Sequence, residues 1–399
     1  MMSANGAQWD AVVVGAGVAG SYVAAHLAHA GVRTLLVERD QLPRDKVCGC
    51  CLNDLAIGVL QSSPVPGVAR LLRETGAMPL FGMRLGAAGR TAELRFPAGM
   101  VVSRHRLDHA LALAACDAGA TLIQGTTARW SGVCHDQAMV RLVSSVGECA
   151  VRTRLVVAAD GLNSTLLASV TNEQPVVATG SLIGAGVVLG SGAAASFAPG
   201  LIHMACGKGG YVGLVRLEDG RLDLAMACDA ETVRQSGSLG ALAGSVLSQA
   251  GWTEPEGLRD ARWRGTPRLT RSQKTTVAPH FAAVGDASGY IEPFTGEGMG
   301  WALAGARAAL PVLLARALGR QTGSLANPGR RAQPGRMACR LSASLLRSPG
   351  LVGTAVRVLQ WMPWCARPVA WMTGRGQGWR MESPGHQARQ VEESDGFAG

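Results

Sequence analysis

The sequence predicts an α/β architecture: a parallel sheet opened by a βαβ unit, a separate antiparallel sheet, and a basic helical C-terminal extension. Three observations predict it. An apolar run from Asp10 leads into Gly15-Ala16-Gly17-Val18-Ala19-Gly20, and a helical stretch and a second apolar strand follow. Two later apolar strands, Leu155–Ala159 and Phe281–Val284, each end at a Gly/Asp turn. Residues 82–97 and 181–229 are short alternating segments separated by glycine turns, the pattern of antiparallel strands.

Composition bounds the possibilities. The 399 residues suit two interleaved domains, and 47% hydrophobic against 17% charged residues exclude wholesale disorder. The 53 glycines show no triplet period, so they mark tight turns and close backbone approaches. Ten scattered cysteines without a signal peptide do not form a disulfide framework and indicate a reducing, cytoplasmic compartment. Arg307, Pro311 and Arg316 interrupt the longest apolar stretch, Trp301–Leu318, so no segment is expected to reach the roughly 20 residues of a membrane span.

In the opening unit each glycine has its own task. Gly15 allows the turn, Gly17 lets the backbone approach a pyrophosphate, and Gly20 lets helix and strand pack closely. The helix from Ser21 to Ala30, ended by Gly31, adds N–H donors and a favourable dipole for an anion at its start. Glu38 stands eighteen positions after Gly20, where a carboxylate accepts from ribose hydroxyls and repels a 2′-phosphate. FAD and NAD therefore both remain open at this point, as does Glu38 as a solvated strand end.

The later motifs narrow the choice. Asp160-Gly161 and Gly285-Asp286 both suit strands that end at a ligand. Glycines 289, 296 and 298 precede a long helix from Gly300 to about Leu318, a second anion-favouring helix start. Taken in order, these motifs resemble the FAD-dependent monooxygenase superfamily of the p-hydroxybenzoate hydroxylase type. Pro43-Arg44-Asp45-Lys46-Val47-Cys48-Gly49 and Pro293-x-x-Gly296-x-Gly298 resemble the branch containing geranylgeranyl reductases and halogenases. The halogenase signature W-x-W-x-I-P is absent.

The resemblance implies a Rossmann-like FAD-binding domain (1–76, 100–172 and 276–325) with an inserted antiparallel β-sheet substrate domain (77–99 and 173–275) and a helical C-terminal extension (326–399). It implies that Asp286 bonds the ribityl or pyrophosphate-proximal part of FAD and that Arg104 contacts the nucleotide. Pro293 backs the isoalloxazine, and the Gly298 and Met299 amides face its N1/C2=O edge, where reduced flavin carries negative charge. Asp160-Gly161 lies where FAD and a transient NAD(P)H reductant approach. Leu167 stands where the family often has Arg, which weakens the case for a monooxygenase-style nicotinamide route. A hairpin turning at Glu218-Asp219-Gly220 covers the flavin.

Cys48-Gly49-Cys50-Cys51 lacks a second ligand pair at finger spacing, so no metal is expected. Cys48, by its family position near the flavin, is either a catalytic contact to substrate or isoalloxazine or a packing residue. His203 and Tyr211 are the residues of the cover sheet suited to acid/base work, with structural roles the alternative.

Residues 298–381 hold twelve arginines and no acidic residue, so the net charge of +10 belongs to this part. Arg336, Arg340 and Arg347 share one helical face opposite Met337, Leu341 and Leu345, and Trp361, Met362, Trp364, Trp371 and Met372 follow among Arg367 and Arg375. Helices packing on the FAD domain are expected here. The alternatives are peripheral contact with the inner face of the membrane or with an acidic carrier protein. A basic membrane- or nucleic-acid-binding module with vestigial FAD is the remote reading, and no nucleic-acid partner is expected. The expected activity is hydroxylation of a small apolar or aromatic, lipid- or polyketide-like molecule; the alternative is reduction of a C=C bond in an isoprenoid lipid.

Overall fold

The structure is a computed structural model and describes residues 8–95, 99–292, 296–320, 349–362 and 365. Strand β1 (Gln8–Val14) enters the core through its apolar second half, Ala11 to Val14, and helix α1 (Val18–His29) returns the chain to β2 (Thr34–Val37). The strands 121–123, β2, β1, Gly147–Ala158 and Phe281–Ala283 lie side by side in parallel, Val12 facing both Leu35 and Val156. Burial on both faces explains why these strands read as continuous hydrophobic runs. An antiparallel pair, 126–134 and 137–144, continues from the first half of Gly147–Ala158, and Val277–Ala278 pairs antiparallel with Phe281–Ala283, bringing the sheet to eight strands.

Two glycines fix how β1 meets α1. Gly15 adopts φ +104, and an added Cβ would lie 2.4 Å from the Ala159 carbonyl oxygen. At Gly20 it would lie 1.9 Å from the Gly15 carbonyl oxygen, so helix and turn touch backbone to backbone.

The second sheet has seven strands in the order 264–268, 183–189, 222–228, 210–216, 201–207, 82–87, 90–95. All pairings are antiparallel except Leu201–Gly207 with Gly82–Ala87, which run parallel because they come from distant parts of the chain. One face of this sheet packs Leu214, Leu224 and Met226 against the helix Leu239–Gln249. On the other side, Met204, Tyr211 and Val215 join Cys50, Cys51 and Val101 in a second core.

Two expectations need correction. The helix Gly298–Ala317 is, by length and composition, apolar enough to cross a membrane, because one Pro and two Arg do not outweigh its alanines and leucines. In this fold Leu303, Ala306 and Leu313 are buried in the core with α1, and Arg316 donates to the Ala278 and Phe281 carbonyls. The helix Pro349–Trp361 packs on the edge strand 90–95 and its neighbour 82–87 of the second sheet rather than on the nucleotide-side sheet. It buries Val352 and Val356 and leaves Trp361 exposed. The arginine face at 336–347 and residues 364, 367, 371, 372 and 375 lie outside the described residues. Among the described residues nine cysteines are free.

Candidate cofactor site

A cavity opens between the two sheets. Its nucleotide-side wall includes Gly17, Gly161, Gly285, Asp286, Gly298 and Met299, and its cover wall includes Tyr211, Gly213, Val215 and Ala225 from the predicted hairpin. The hairpin turns where expected, the Gly220 N–H donating to the Leu217 carbonyl at 3.0 Å. An added Cβ at Gly17 would meet nothing closer than Arg104 Nη2 at 3.6 Å and Lys46 Nζ at 3.8 Å, so the space in front of this turn belongs to the cavity.

The electrostatics of this wall come from a buried ion chain. Arg104 and Asp108, one helical turn apart on Arg104–Asp117, pair through two bonds of 2.8 and 2.7 Å. Arg44 donates to the same Asp108 at 2.8 Å and to Glu38 at 3.0 Å. Burial pushes the Asp108 carboxyl up, but Arg104 and then Arg44 outweigh it and hold it below its ordinary range. For Glu38 burial again opposes, while Arg44 and the Asp40 and Ala16 amides bring the carboxyl down. Glu38 Oε2 accepts from the Ala16 N–H at 2.8 Å, so this carboxylate fixes the glycine turn itself and does not line the cavity.

Lys46 lines the cavity beside Arg104. Burial and then Arg104 push its ammonium below the usual range, against the attraction of Asp286 and Asp108. Asp286 is raised by burial, with Lys46 and Arg104 pulling the other way. Two cations thus crowd the space facing Gly17 and Gly161, an arrangement that an anionic diphosphate relieves.

The other predicted residues divide. Gly285, at φ +59, brings its turn against Ala19, and Gly296 lines the cavity before the helix that starts at Gly298. Of the pair Asp160-Gly161 only Gly161 lines it; Asp160 Oδ2 accepts from the Leu166 N–H at the start of the helix Thr165–Thr171. Pro293 lies outside the described residues. His203 is buried away from the cavity, against Phe197 and Trp252, with its ring bonded to the Ala198 carbonyl at 3.3 Å. Tyr211 lines the cavity, and its hydroxyl donates to Glu292 Oε1 at 3.0 Å.

Cys48 lines the cavity too. A hydrogen bond from Cys50, against burial and with help from Arg104, brings its thiol down to about 6. Sequence reading passed over Arg44, Lys46, Asp108 and Glu292. Only Asp108 had a local signal, its i,i+4 spacing from Arg104.

Residues 8–191 match the family model described as FAD binding domain. This part of the chain is similar to an FAD-binding domain. It holds the Gly15–Gly20 turn, Glu38, Arg104 and Gly161, and the motif resemblance to the FAD-dependent superfamily is upheld. A menaquinone reductase of Mycolicibacterium smegmatis is 35% identical over 165 residues, which cover 39% of this chain and 38% of that protein. The chain therefore spans about two fifths of the length of this curated relative. Among solved structures, a flavin-dependent brominase has a TM-score of 0.73 at 15% identity, covering 98% of this chain and 99% of the other. A geranylgeranyl bacteriochlorophyll reductase-like protein from Thermoplasma acidophilum has 0.71 at 19%, covering 88% and 91%. These two likenesses show the fold. Together the family model and these likenesses point to an FAD-binding fold.

Proposed function

We propose that the protein reduces a C=C bond of an apolar, isoprenoid-type lipid, with FAD as resident cofactor and NAD(P)H as transient reductant. The residues present suit FAD: a glycine turn for the diphosphate, Arg104 and Lys46 to balance its charge, Asp286 for the polyol, and the Gly298 and Met299 amides for the ring edge. When bound, FAD supplies a hydride.

The observation that carries the reading is the pair Tyr211–Glu292 in a cover wall otherwise built from Ile202, Met204, Val215 and Leu269. Saturating a C=C bond needs a proton as well as a hydride. Burial and then Glu292 push the Tyr211 phenol well above its usual range, so it stays protonated, with its O–H held by Glu292 beside the cavity. The apolar residues around it hold a hydrocarbon and exclude water. The menaquinone reductase relative and the reductase-like fold neighbour support the same reading.

Hydroxylation is the second reading, favoured by the hairpin that roofs the cavity and shields it from water. Product mass separates the two. The protein, anaerobic and supplied with NAD(P)H and a polyprenyl lipid, is expected to yield a product heavier by two hydrogens. A product that gains one oxygen, and only in air, overturns reduction.

A lipid substrate also gives the basic C-terminal stretch a role, and peripheral contact with anionic headgroups on the cytoplasmic side of a membrane is part of this proposal. Salt-sensitive co-sedimentation with anionic but not neutral vesicles tests it.

A further inference from the structure

Three thiols crowd one turn beside the cavity, and the proposed reduction uses none of them as a pair. Cys48 and Arg104 both line the cavity, and the Cys50 thiol turns back on Cys48, donating to its backbone carbonyl at 3.9 Å; Cys50 and Arg104 both lower the Cys48 thiol. Cys50 is 2% exposed, and its thiol also meets the carboxyl of Asp223. Asp223 is itself 3% exposed, and its Oδ2 has no hydrogen-bond partner among the described residues. Cys50 adopts φ +52, the left-handed region that favours glycine, so a side chain stands there against the local backbone preference. Cys51 differs: its thiol donates to the Gly49 carbonyl at 2.9 Å.

We propose that Cys48 and Cys50 are a redox-active dithiol that closes to a disulfide at the cavity and exchanges an electron pair with bound FAD. The inference rests on FAD occupying that cavity. In the oxidising direction Cys48 reacts as thiolate and Cys50 as thiol: one S–S bond forms, the Cys50 S–H bond breaks, and two electrons leave the sulfurs. FAD takes both electrons and that one proton and becomes the anionic reduced flavin, so charge and atoms balance. Arg104 keeps Cys48 in the thiolate form. Asp223 is the base beside Cys50 that receives its proton and passes it on, a carboxyl whose proton affinity burial raises. Reduction of the disulfide by an external dithiol runs the thiol half in reverse, giving the flavin an electron entry that does not pass through nicotinamide.

The test has two arms on the full-length, FAD-loaded protein. After oxidation with diamide, alkylation and trypsin digestion, the peptide Val47–Arg70 holds Cys48, Cys50 and Cys51 and no other cysteine. In the parent only Cys51 should be alkylated, and Cys51→Ser should leave a peptide with no free thiol. Cys50→Gly, which suits the backbone at this position, should leave both remaining cysteines alkylated. Three alkylated cysteines in the parent, or a disulfide that survives Cys50→Gly, overturns the pair.

In the second arm, anaerobic reductive titration of the oxidised protein should consume four electrons per FAD in the parent and two in Cys50→Gly. Two electrons in a parent whose peptide is closed would show that the thiols do not communicate with the flavin. A protein that closes the disulfide but holds no FAD would sink the cofactor reading and, with it, the electron exchange, while leaving the thiol pair established.

Discussion

Glu218, at the tip of the cover hairpin, accepts hydrogen bonds from the Ser103 N–H at 2.9 Å and from the Ser103 hydroxyl at 2.6 Å. Ser103 in turn caps the helix that carries Arg104 and Asp108, accepting the Arg106 N–H at 3.2 Å. The roof of the cavity and the cationic floor are therefore latched at one buried point. Glu218→Ala should lower stability by about 1–3 kcal/mol, because it strands two buried donors. It should also weaken FAD retention. Thermal unfolding and flavin content check this, and a variant with parent values of both would show that the latch is idle.

Gly17 and Gly20 should fail differently. A side chain at Gly17 enters the cavity without striking protein backbone, so Gly17→Val is expected to fold and to purify colourless. Gly20→Ala forces a Cβ against the Gly15 carbonyl and should disrupt the fold itself. Circular dichroism with flavin absorbance separates the outcomes; a fully yellow Gly17→Val protein contradicts the pyrophosphate assignment.

Asp108→Asn removes the carboxylate between Arg44 and Arg104 and should cost roughly 3–5 kcal/mol, the range for breaking a buried ion pair. The folded Asp108 carboxyl lies below its ordinary 3.8. Its contribution is therefore fully present above that value and is lost as pH falls from there through the depressed folded value. Parent stability should drop more steeply than that of the variant across this acid window in urea melts at stepped pH.

Cys48 should alkylate with a rate that rises around pH 6 rather than near 9. Peptide-resolved iodoacetamide labelling measures it. Cys48→Ser should alter turnover while FAD content and thermal midpoint stay near parent values, and joint loss of flavin and stability would mean a purely structural turn.

Tyr211→Phe keeps the ring and deletes the donor to Glu292. Turnover on a C=C substrate should fall by about 10²–10⁴-fold with FAD retained, the usual weight of general acid catalysis. Equal turnover would remove Tyr211 from the reaction.

The parts of this site that are written locally were legible. Gly15, Gly17, Gly20 and the hairpin at Glu218-Asp219-Gly220 declare themselves through backbone requirements that span a few residues. The ion chain was not legible, because Arg44 and Lys46 meet Arg104 and Asp108 from a segment about sixty residues earlier, and each alone reads as a surface charge. Glu38 was picked out by its spacing, but its bond to the Ala16 amide, which ties down the glycine turn, has no spacing rule to announce it. The parallel pairing of Leu201 with Gly82 escaped for a similar reason, since alternation reveals a strand's faces but not its neighbour's direction.

The cavity lining begins at Gly17 and ends along the chain only at Ala302. On a ribosome, the glycine turn emerges early, but the helix start at Gly298 follows hundreds of residues later. A nascent chain thus passes most of its synthesis with half a cradle. A complete cradle for FAD therefore exists only after that helix start has been made, and the part-built wall has the Arg44–Glu38 and Arg104–Asp108 ion pairs to neutralise its charge before then.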